Sequence, residues 1–335
     1  MLESIRPALS VIMPVYNVGA YVRDAIRSVL AQTFRDFELI VVDDSGTDGS
    51  LAVCQSFDDP RIRVMIQCNR GLAGARNTGI AQSRGRYIAL LGSDDLWAPR
   101  KLAVHVTHLD AHPDVGASYG GSEMIDGAGR RLGIYQRPRP GTASAKDVFC
   151  GRTISNGSAP VFRREMLEEG ALPGDRAGRI YYFDETLRRS EDVECWTRLA
   201  LTSRFKFAAV SEILTLYRVN SDGLSADVVR QLASWDEVCA KLAQVSPAFI
   251  EEHGREARGR ELRYLARCCV QIRDRGLGLT LAREALSHCP RLLFEEPVKT
   301  LTTLVVCFAM RSLSNEAFGR LLRIVSPRLA AGPSS

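Results

Sequence analysis

The chain is short of lysine: five of its 44 basic residues are Lys and the rest are Arg. That bias reads first as genomic base composition and only weakly as phosphate binding. It has no long hydrophobic run. The longest candidate, Leu301 to Met310, contains two threonines and is bounded by Lys299 and Arg311, well short of the ~20 apolar residues a spanning helix needs. No basic stretch followed by an apolar core opens the sequence, so a secretory signal is not expected. The nine cysteines are an odd number without a CxxC pair, and only Cys268 and Cys269 are adjacent. That spacing argues against a zinc knuckle or disulfide framework and for a reducing, cytoplasmic setting. No P-loop is present, and Gly71 and Gly74 in GLAGAR do not form a GxGxxG dinucleotide fingerprint. No Ser-His-Asp or Cys-His order stands out, and Cys195 is expected to be buried rather than nucleophilic.

What is present is an ordinary globular composition, 45% hydrophobic and 25% charged over 335 residues, long enough for about two domains at a prior of ~150 residues each. The formal charge is +5. Residues 1–225 hold 28 basic and 27 acidic residues, and residues 226–335 hold 16 and 12, so the surplus sits mostly in the C-terminal third. Without a concentrated basic stripe and interleaved aromatics, a nucleic-acid partner is not expected.

The first half alternates short apolar runs with helical patterns, an α/β layer arrangement. Strands are predicted at Leu9–Met13, Glu38–Val42, Arg61–Ile66 and Tyr87–Leu91. Val22, Ala25, Ile26, Val29 and Leu30 follow the 3.6-residue period, and further helices are predicted from near Asp48, near Ala73 and at Pro99, since proline suits a first helical turn. Asp126–Thr142, rich in Gly, Pro and Arg, reads as a long loop with a binding or lid role. Beyond about residue 225 the texture is all-helical. Trp235/Val238/Cys239/Leu242, Leu262/Leu265/Ala266/Cys269, Leu301/Leu304/Val305/Phe308 and Phe318/Leu321/Leu322/Val325 each share a helical face. Ala330–Ser335 is expected to fray.

Acidic residues fall where the strands end, and ligands of open α/β sheets bind at the carboxyl ends of strands. Asp43-Asp44 ends one apolar run, Asp94-Asp95 follows another, and Glu191-Asp192 makes a third pair. Paired carboxylates beside an apolar sheet edge repel and lose solvation, a cost that a cation or hydrogen-bonding ligand offsets. One pair alone would more simply cap a helix, as Asp48 is expected to; three pairs favour a ligand.

Residues 9 to about 220 resemble an inverting family 2 glycosyltransferase of GT-A fold, the Rossmann-like nucleotide-diphospho-sugar transferase fold, here followed by an all-α C-terminal region. The likeness rests on six elements in order: LSVIMPVYN, VVDDSGTDGS, NRGLAGARNTGI, ALLGSDDLWAPRKL, YYFDETLRRSEDVECWTRLA and LTLYRVN. It implies a catalytic domain over 1–224, with a nucleotide-sugar half at about 1–125 and an acceptor half at about 126–224, and a helical region over 225–335. It implies that Pro14, Tyr16 and Asn17 frame the base, that Asp44 accepts a hydrogen bond from a uracil imide with Asp43 close by, and that Arg76 contacts the nucleotide. A structural salt bridge is the other reading of Arg76. Asp95 would ligate a divalent cation, Mn2+ or Mg2+, with Asp94 on the ribose or assisting the metal, and Arg218 would approach the diphosphate. A general base is needed for the acceptor hydroxyl; by the resemblance Asp192, with Glu191 beside it, would fill that role, the alternative being simple helix N-terminal charges.

Two positions depart from the family. Gly92 stands where Asp is usual before Ser93-Asp94-Asp95, and Ser45-Gly46 reverses the usual Gly-Ser. The expected activity is transfer of a sugar from a nucleotide-diphosphate donor, a UDP-sugar by preference, to a glycan or lipid-linked saccharide. The loops Asp126–Thr142 and Ser155–Ala159 would shape the pockets that choose sugar and acceptor. Peripheral membrane attachment through the basic, amphipathic C-terminal helices is a further expectation. The rivals are a nucleotide-sugar-binding protein without turnover, kept open by Gly92, and a sugar nucleotidyltransferase, for which the Pro14–Gly19 turn lacks a glycine- and Arg/Lys-rich triphosphate loop. His105, His108 and His112, one face of the helix after Pro99, are expected to be solvent-exposed rather than a zinc site.

Overall fold

A computed structural model of the chain describes residues 6–151, 153–154, 156–175, 178–219, 227–314 and 316–320. The chain divides into two compact units, Met1–Val148 with Arg152–Arg218, and Phe149–Gly151 with Val219–Ser335.

The first unit is built on one mixed sheet. Its first four strands are β1 (Leu9–Val15), β2 (Phe37–Asp43), β3 (Ile62–Ile66) and β4 (Tyr87–Leu90). They lie in the order β3-β2-β1-β4 and are mutually parallel. β1 and β2 are buried along their whole length, as near-continuous apolar runs covered on both faces must be. Ile12, Ile40 and Ile88 face a core shared with α3 (Gly71–Gln82) and α7 (Glu191–Thr202). Val11, Leu39 and Ala89 face the opposite core with α1 (Val22–Leu30) and α4 (Lys101–Ala111). α3 lies very close to the sheet: a Cβ on Gly79 would come within 2.3 Å of Ile12 Cγ2, so only glycine fits there.

The sheet continues as β4-β9-β6-β10-β5, with β5 (Leu96–Trp97), β6 (Val115–Ile125), β9 (Pro160–Arg163) and β10 (Lys206–Arg218). The predicted loop Asp126–Thr142 needs correction. It contains β7 (Arg131–Gln136), antiparallel to β6, and the start of β8 (Gly141–Ala143), antiparallel to β10. These strands exist because β6 and β10 offer open pairing groups; local sequence does not announce them. The histidine expectation also needs correction. His105 is fully buried and His108 half-buried, and both present Nδ1 to Ser118 Oγ at 2.7 Å. A hydroxyl on β6 satisfies them, and burial holds both imidazoles below their usual pKa. Only His112 is exposed.

The second unit is helical: α8 (Val228–Val245), α9 (Pro247–Gln271), α10 (Leu277–His288), α11 (Leu292–Glu295) and α12 (Pro297–Ser312). Asp227 and Ser246 cap α8 and α9, accepting from Arg230 N and Phe249 N, as such residues do at helix starts. Leu262, Leu265 and Ala266 pack on Leu281, Ala282, Ala285, Val306 and Met310. Leu321, Leu322, Val325 and Ala330–Ser335 lie outside the described residues. No described helix is long and apolar enough to cross a membrane.

Glu296 ties three helices of this unit, accepting from Arg263, from Arg260 at 3.3 Å and from Lys299 at 2.6 Å. Hydrogen bonds from Lys299 and Arg263 outweigh its burial and lower its pKa to about 2. A depressed carboxyl contributes stability that is complete above its unfolded pKa and is lost as pH falls through the folded value. Glu296→Gln is therefore expected to cost about 3 kcal/mol at neutral pH. The difference from wild type should shrink between about pH 4.5 and pH 2, as read from urea melts at stepped pH.

Candidate active site

Three loops meet beyond the carboxyl ends of β1, β2 and β3. Asn17, in a left-handed turn at φ 52°, accepts Thr47 N–H on Oδ1 at 2.8 Å. Ser45, also left-handed at φ 61°, donates Oγ–H to Gln67 O at 2.6 Å. The reversed Ser45-Gly46 order thus puts a Cβ where glycine is at ease, and the hydroxyl ties the turn to the loop after β3. Asp44 organises that loop, taking Gln67 Nε2 (2.6 Å) and Arg70 N (2.9 Å) on Oδ1 and Gly71 N (2.8 Å) on Oδ2. Asp43 is buried, and its Oδ1 has no partner. Burial pushes its pKa up, opposed by the backbone N–H groups of Ser45 and Gly46. Pro14 is buried within β1, while Tyr16 is 51% exposed at the rim.

The second cluster follows β4. Asp95 is buried, accepting Ser158 Oγ–H on Oδ2 at 2.5 Å and Arg218 N–H on Oδ1 at 2.9 Å. Burial, then the charge of half-buried Asp94, raises its pKa to about 8. Arg218 is buried beneath this pair. Its guanidinium donates to the carbonyls of Asp94, Asp126 and Gly127 at 2.7–2.9 Å and lies 4.6 Å from the Tyr21 ring centre. Gly92 faces both carboxylates: a Cβ there would sit 3.1 Å from Asp94 Oδ1 and 3.2 Å from Asp95 Oδ2. Lys101, which sequence reasoning gave no role, is wholly buried below, its Nζ donating to Ala159 O and Thr215 Oγ1.

The third cluster comes from far along the chain. Asn77 on α3 accepts the N–H groups of Tyr182 and Phe183 and donates to Phe183 O and Glu185. Arg70 pairs with Glu185. Arg76, one residue before Asn77, pairs with Glu191 at 2.6 Å with both side chains 6% exposed. Burial, with the Asp192 charge, holds the Glu191 carboxyl above its usual pKa against the pull of Arg76. Arg76 so joins the first residue of the Glu-Asp pair, and Asp192 is left half-buried with Oδ1 on Val193 N. The roles of Asn77, Arg70 and Glu185 were missed, although all lie inside the recognised elements. Trp196 packs in the core on Phe162 and Phe183, away from solvent.

Gly157 closes this corner. A Cβ on it would lie 2.5 Å from Arg76 Nη2 and 3.9 Å from Asp192 Oδ2. Gly157→Ala is therefore expected to displace the Arg76–Glu191 pair and to lower turnover by about tenfold or more, in keeping with the cost of small misplacements at reacting centres. A steady-state assay beside an unchanged far-ultraviolet spectrum checks it.

Among the described residues no cluster of three or more His, Cys, Asp or Glu is placed to hold a metal by itself. The Asp94-Asp95 pair fits a cation that completes its shell elsewhere. Mg2+-type sites commonly use one or two carboxylates with substrate phosphates and water.

The family model described as Glycosyl transferase family 2 matches residues 10–171. EpsE of Bacillus subtilis, named for a glycosyltransferase, is 31% identical over 222 residues, covering 64% of this chain and 74% of EpsE. The Escherichia coli UDP-Glc:alpha-D-GlcNAc-diphosphoundecaprenol beta-1,3-glucosyltransferase WfgD is 27% identical over 230 residues, covering 68% of this chain and 84% of WfgD. A longer glycosyltransferase of Rickettsia bellii is 30% identical over 250 residues, which is 35% of its own length. Among solved structures, the mannosyltransferase PcManGT of Pyrobaculum calidifontis, in complex with GDP-Man and Mn2+, superposes with a TM-score of 0.57 at 19% identity, covering 98% of this chain and 86% of that one. S. aureus TarS 1-349 in complex with UDP-GlcNAc gives 0.55 at 16% identity, covering 89% and 90%.

Proposed function

This chain belongs to glycosyltransferase family 2 and has the GT-A fold, and from that premise we propose that it transfers a sugar, with inversion, from a UDP-sugar to a hydroxyl of a glycan or lipid-linked saccharide in the cytoplasm. The observation that carries this reading is the isolation of Asp192: its neighbour Glu191 is held by Arg76, and its own Oδ2 faces the Gly157 corner.

The loops after β1–β3 receive the nucleoside. Asp44 Oδ2 holds one N–H and keeps a lone pair for an imide donor, and Asp43 Oδ1 stands beside it without a partner. Pro14, Tyr16 and Asn17 frame the base. Asp94 and Asp95 would hold a divalent cation, which would neutralise charge developing on the departing diphosphate. Arg218 keeps these aspartates and the 126–129 turn in one arrangement. Asp192 takes the acceptor proton as the acceptor oxygen bonds to the anomeric carbon and the bond from that carbon to the diphosphate oxygen breaks. Arg76 acts on the donor side only through the position of Glu191 and Gly157. The donor preference draws on WfgD, named for UDP-Glc, and on TarS with UDP-GlcNAc. The cation draws on the Mn2+ complex of PcManGT.

Calorimetric titration with UDP, with and without Mn2+, tests the site, followed by hydrolysis assays over UDP, GDP and dTDP sugars. Mn2+-enhanced UDP binding with donor hydrolysis supports the proposal. Binding without turnover across the panel would favour a nucleotide-sugar-binding protein, and no UDP binding would count against the whole reading.

A further inference from the structure

α12 is apolar on two sides. Thr300, Thr303, Val306, Cys307 and Met310 are buried in the helical core. On another side Val298, Leu301, Val305 and Phe308, spaced at three and four residues, are 77%, 52%, 53% and 58% exposed. Phe294 on α11, 84% exposed, precedes them at the same spacing. A helix apolar all round is ordinarily covered all round, and single exposed apolar residues need no explanation whereas a continuous row does. Beside the row, Leu279, Arg283 and Leu304 complete a shallow groove of about 310 Å³ with Val305 and Phe308.

The charges around this row that lack an ion-pair partner are basic. α12 contains no acidic residue. Glu295 and Glu296, just before it, are neutralised by Arg260, Arg263 and Lys299, and Glu284 lies 3.9 Å from His288, which offsets its charge only when protonated. Arg283, Arg291 and Arg311 are exposed and have no acidic partner among the described residues. An apolar row flanked by unpaired guanidinium groups complements a surface that is apolar beneath and anionic above. At 16 residues, α12 is shorter than the ~20 apolar residues a spanning helix needs.

We propose that α11 and α12 form a membrane-docking face, with Phe294, Val298, Leu301, Val305 and Phe308 in the acyl boundary of an anionic bilayer and Arg283, Arg291 and Arg311 on its headgroup phosphates. This surface stands independently of the sugar-transfer reading. Long arginine stems let the charged heads stay at the headgroup level while the apolar row sinks.

The test is flotation of the full chain with phosphatidylcholine vesicles, with and without phosphatidylglycerol, at low and high salt. Wild type is expected to float only with phosphatidylglycerol and to be released by salt. Arg283→Gln/Arg311→Gln is expected to bind about 25-fold more weakly, at about fivefold per basic residue, and Val305→Glu/Phe308→Glu to lose binding. The Gln variant needs no refolding of the apolar face, so it decides the matter should the Glu variant fail to fold. Absence of wild-type binding, or binding unchanged in the Gln variant, would overturn the proposal. So would a wild-type dimer in light scattering that Val305→Glu/Phe308→Glu converts to monomer, since a second copy would then be the occupant.

Discussion

Asp192→Asn is expected to lower sugar transfer by about 10² to 10⁴-fold, the usual worth of a positioned general base, while UDP affinity stays at the wild-type value. The substitution keeps the shape of the side chain and the contact from Val193 N–H to Oδ1, so the fold has no reason to change. On the proposed mechanism, what it removes is the ability to take the acceptor proton. Calorimetry with UDP and a single-turnover assay separate the two quantities. A fall of less than tenfold with intact acceptor binding would remove Asp192 from the role of base.

Arg76→Met is expected to cost about 3–5 kcal/mol, because it strands the buried Glu191 carboxylate without its partner. At the scale of this unit that corresponds to a Tm lower by roughly 10 °C. Arg76→Met/Glu191→Leu should regain most of that loss, since replacing both members of a buried pair by apolar groups is often close to neutral. Activity should not return with stability, because the pair positions Asp192 and the Gly157 corner. Thermal melts and turnover measured on the same samples check both halves. A double variant as unstable as the single one would mean that the cost does not lie in the stranded charge, and a fully active double variant would remove the positioning role.

The legible parts of the fold are those whose sequence pattern is local. β1, β2 and β4 are near-continuous apolar runs, and α1 repeats its buried face at helical spacing, so each lies within two residues of its expected ends at the positions predicted. β7 and β8 were not legible. Gly133, Pro138 and Gly141 punctuate that stretch, and its strands are made by partners on β6 and β10 that no local pattern names. His105 is legible no better, for the same reason: its hydrogen-bond partner, Ser118, is on another element. Whereas Glu191-Asp192 opens α7, Asp43-Asp44 and Asp94-Asp95 were legible in place, because carboxylates at strand ends are conspicuous. Their division of labour was not. Nothing in the string Glu191-Asp192 says which member is engaged internally; the position of Arg76 does. Likewise Asp43 and Asp44 look alike in sequence, yet one organises a loop and the other keeps a buried oxygen without a partner.

The Arg76–Glu191 pair also sets an order of assembly. Its members are 115 residues apart, and at ~5–20 residues per second of synthesis the guanidinium waits on the order of 10 s for its carboxylate. During that interval α3 can already lie on β1 and β2, since those contacts are closer in the chain, but the face that will hold residues 181–192 is uncovered. The strands β1–β4 with α3 are therefore expected to assemble first, with residues 181–192 docking onto them later. A nascent chain stopped before residue 180 should accordingly present an open apolar surface to chaperones, and the complete chain should close it in a single late step.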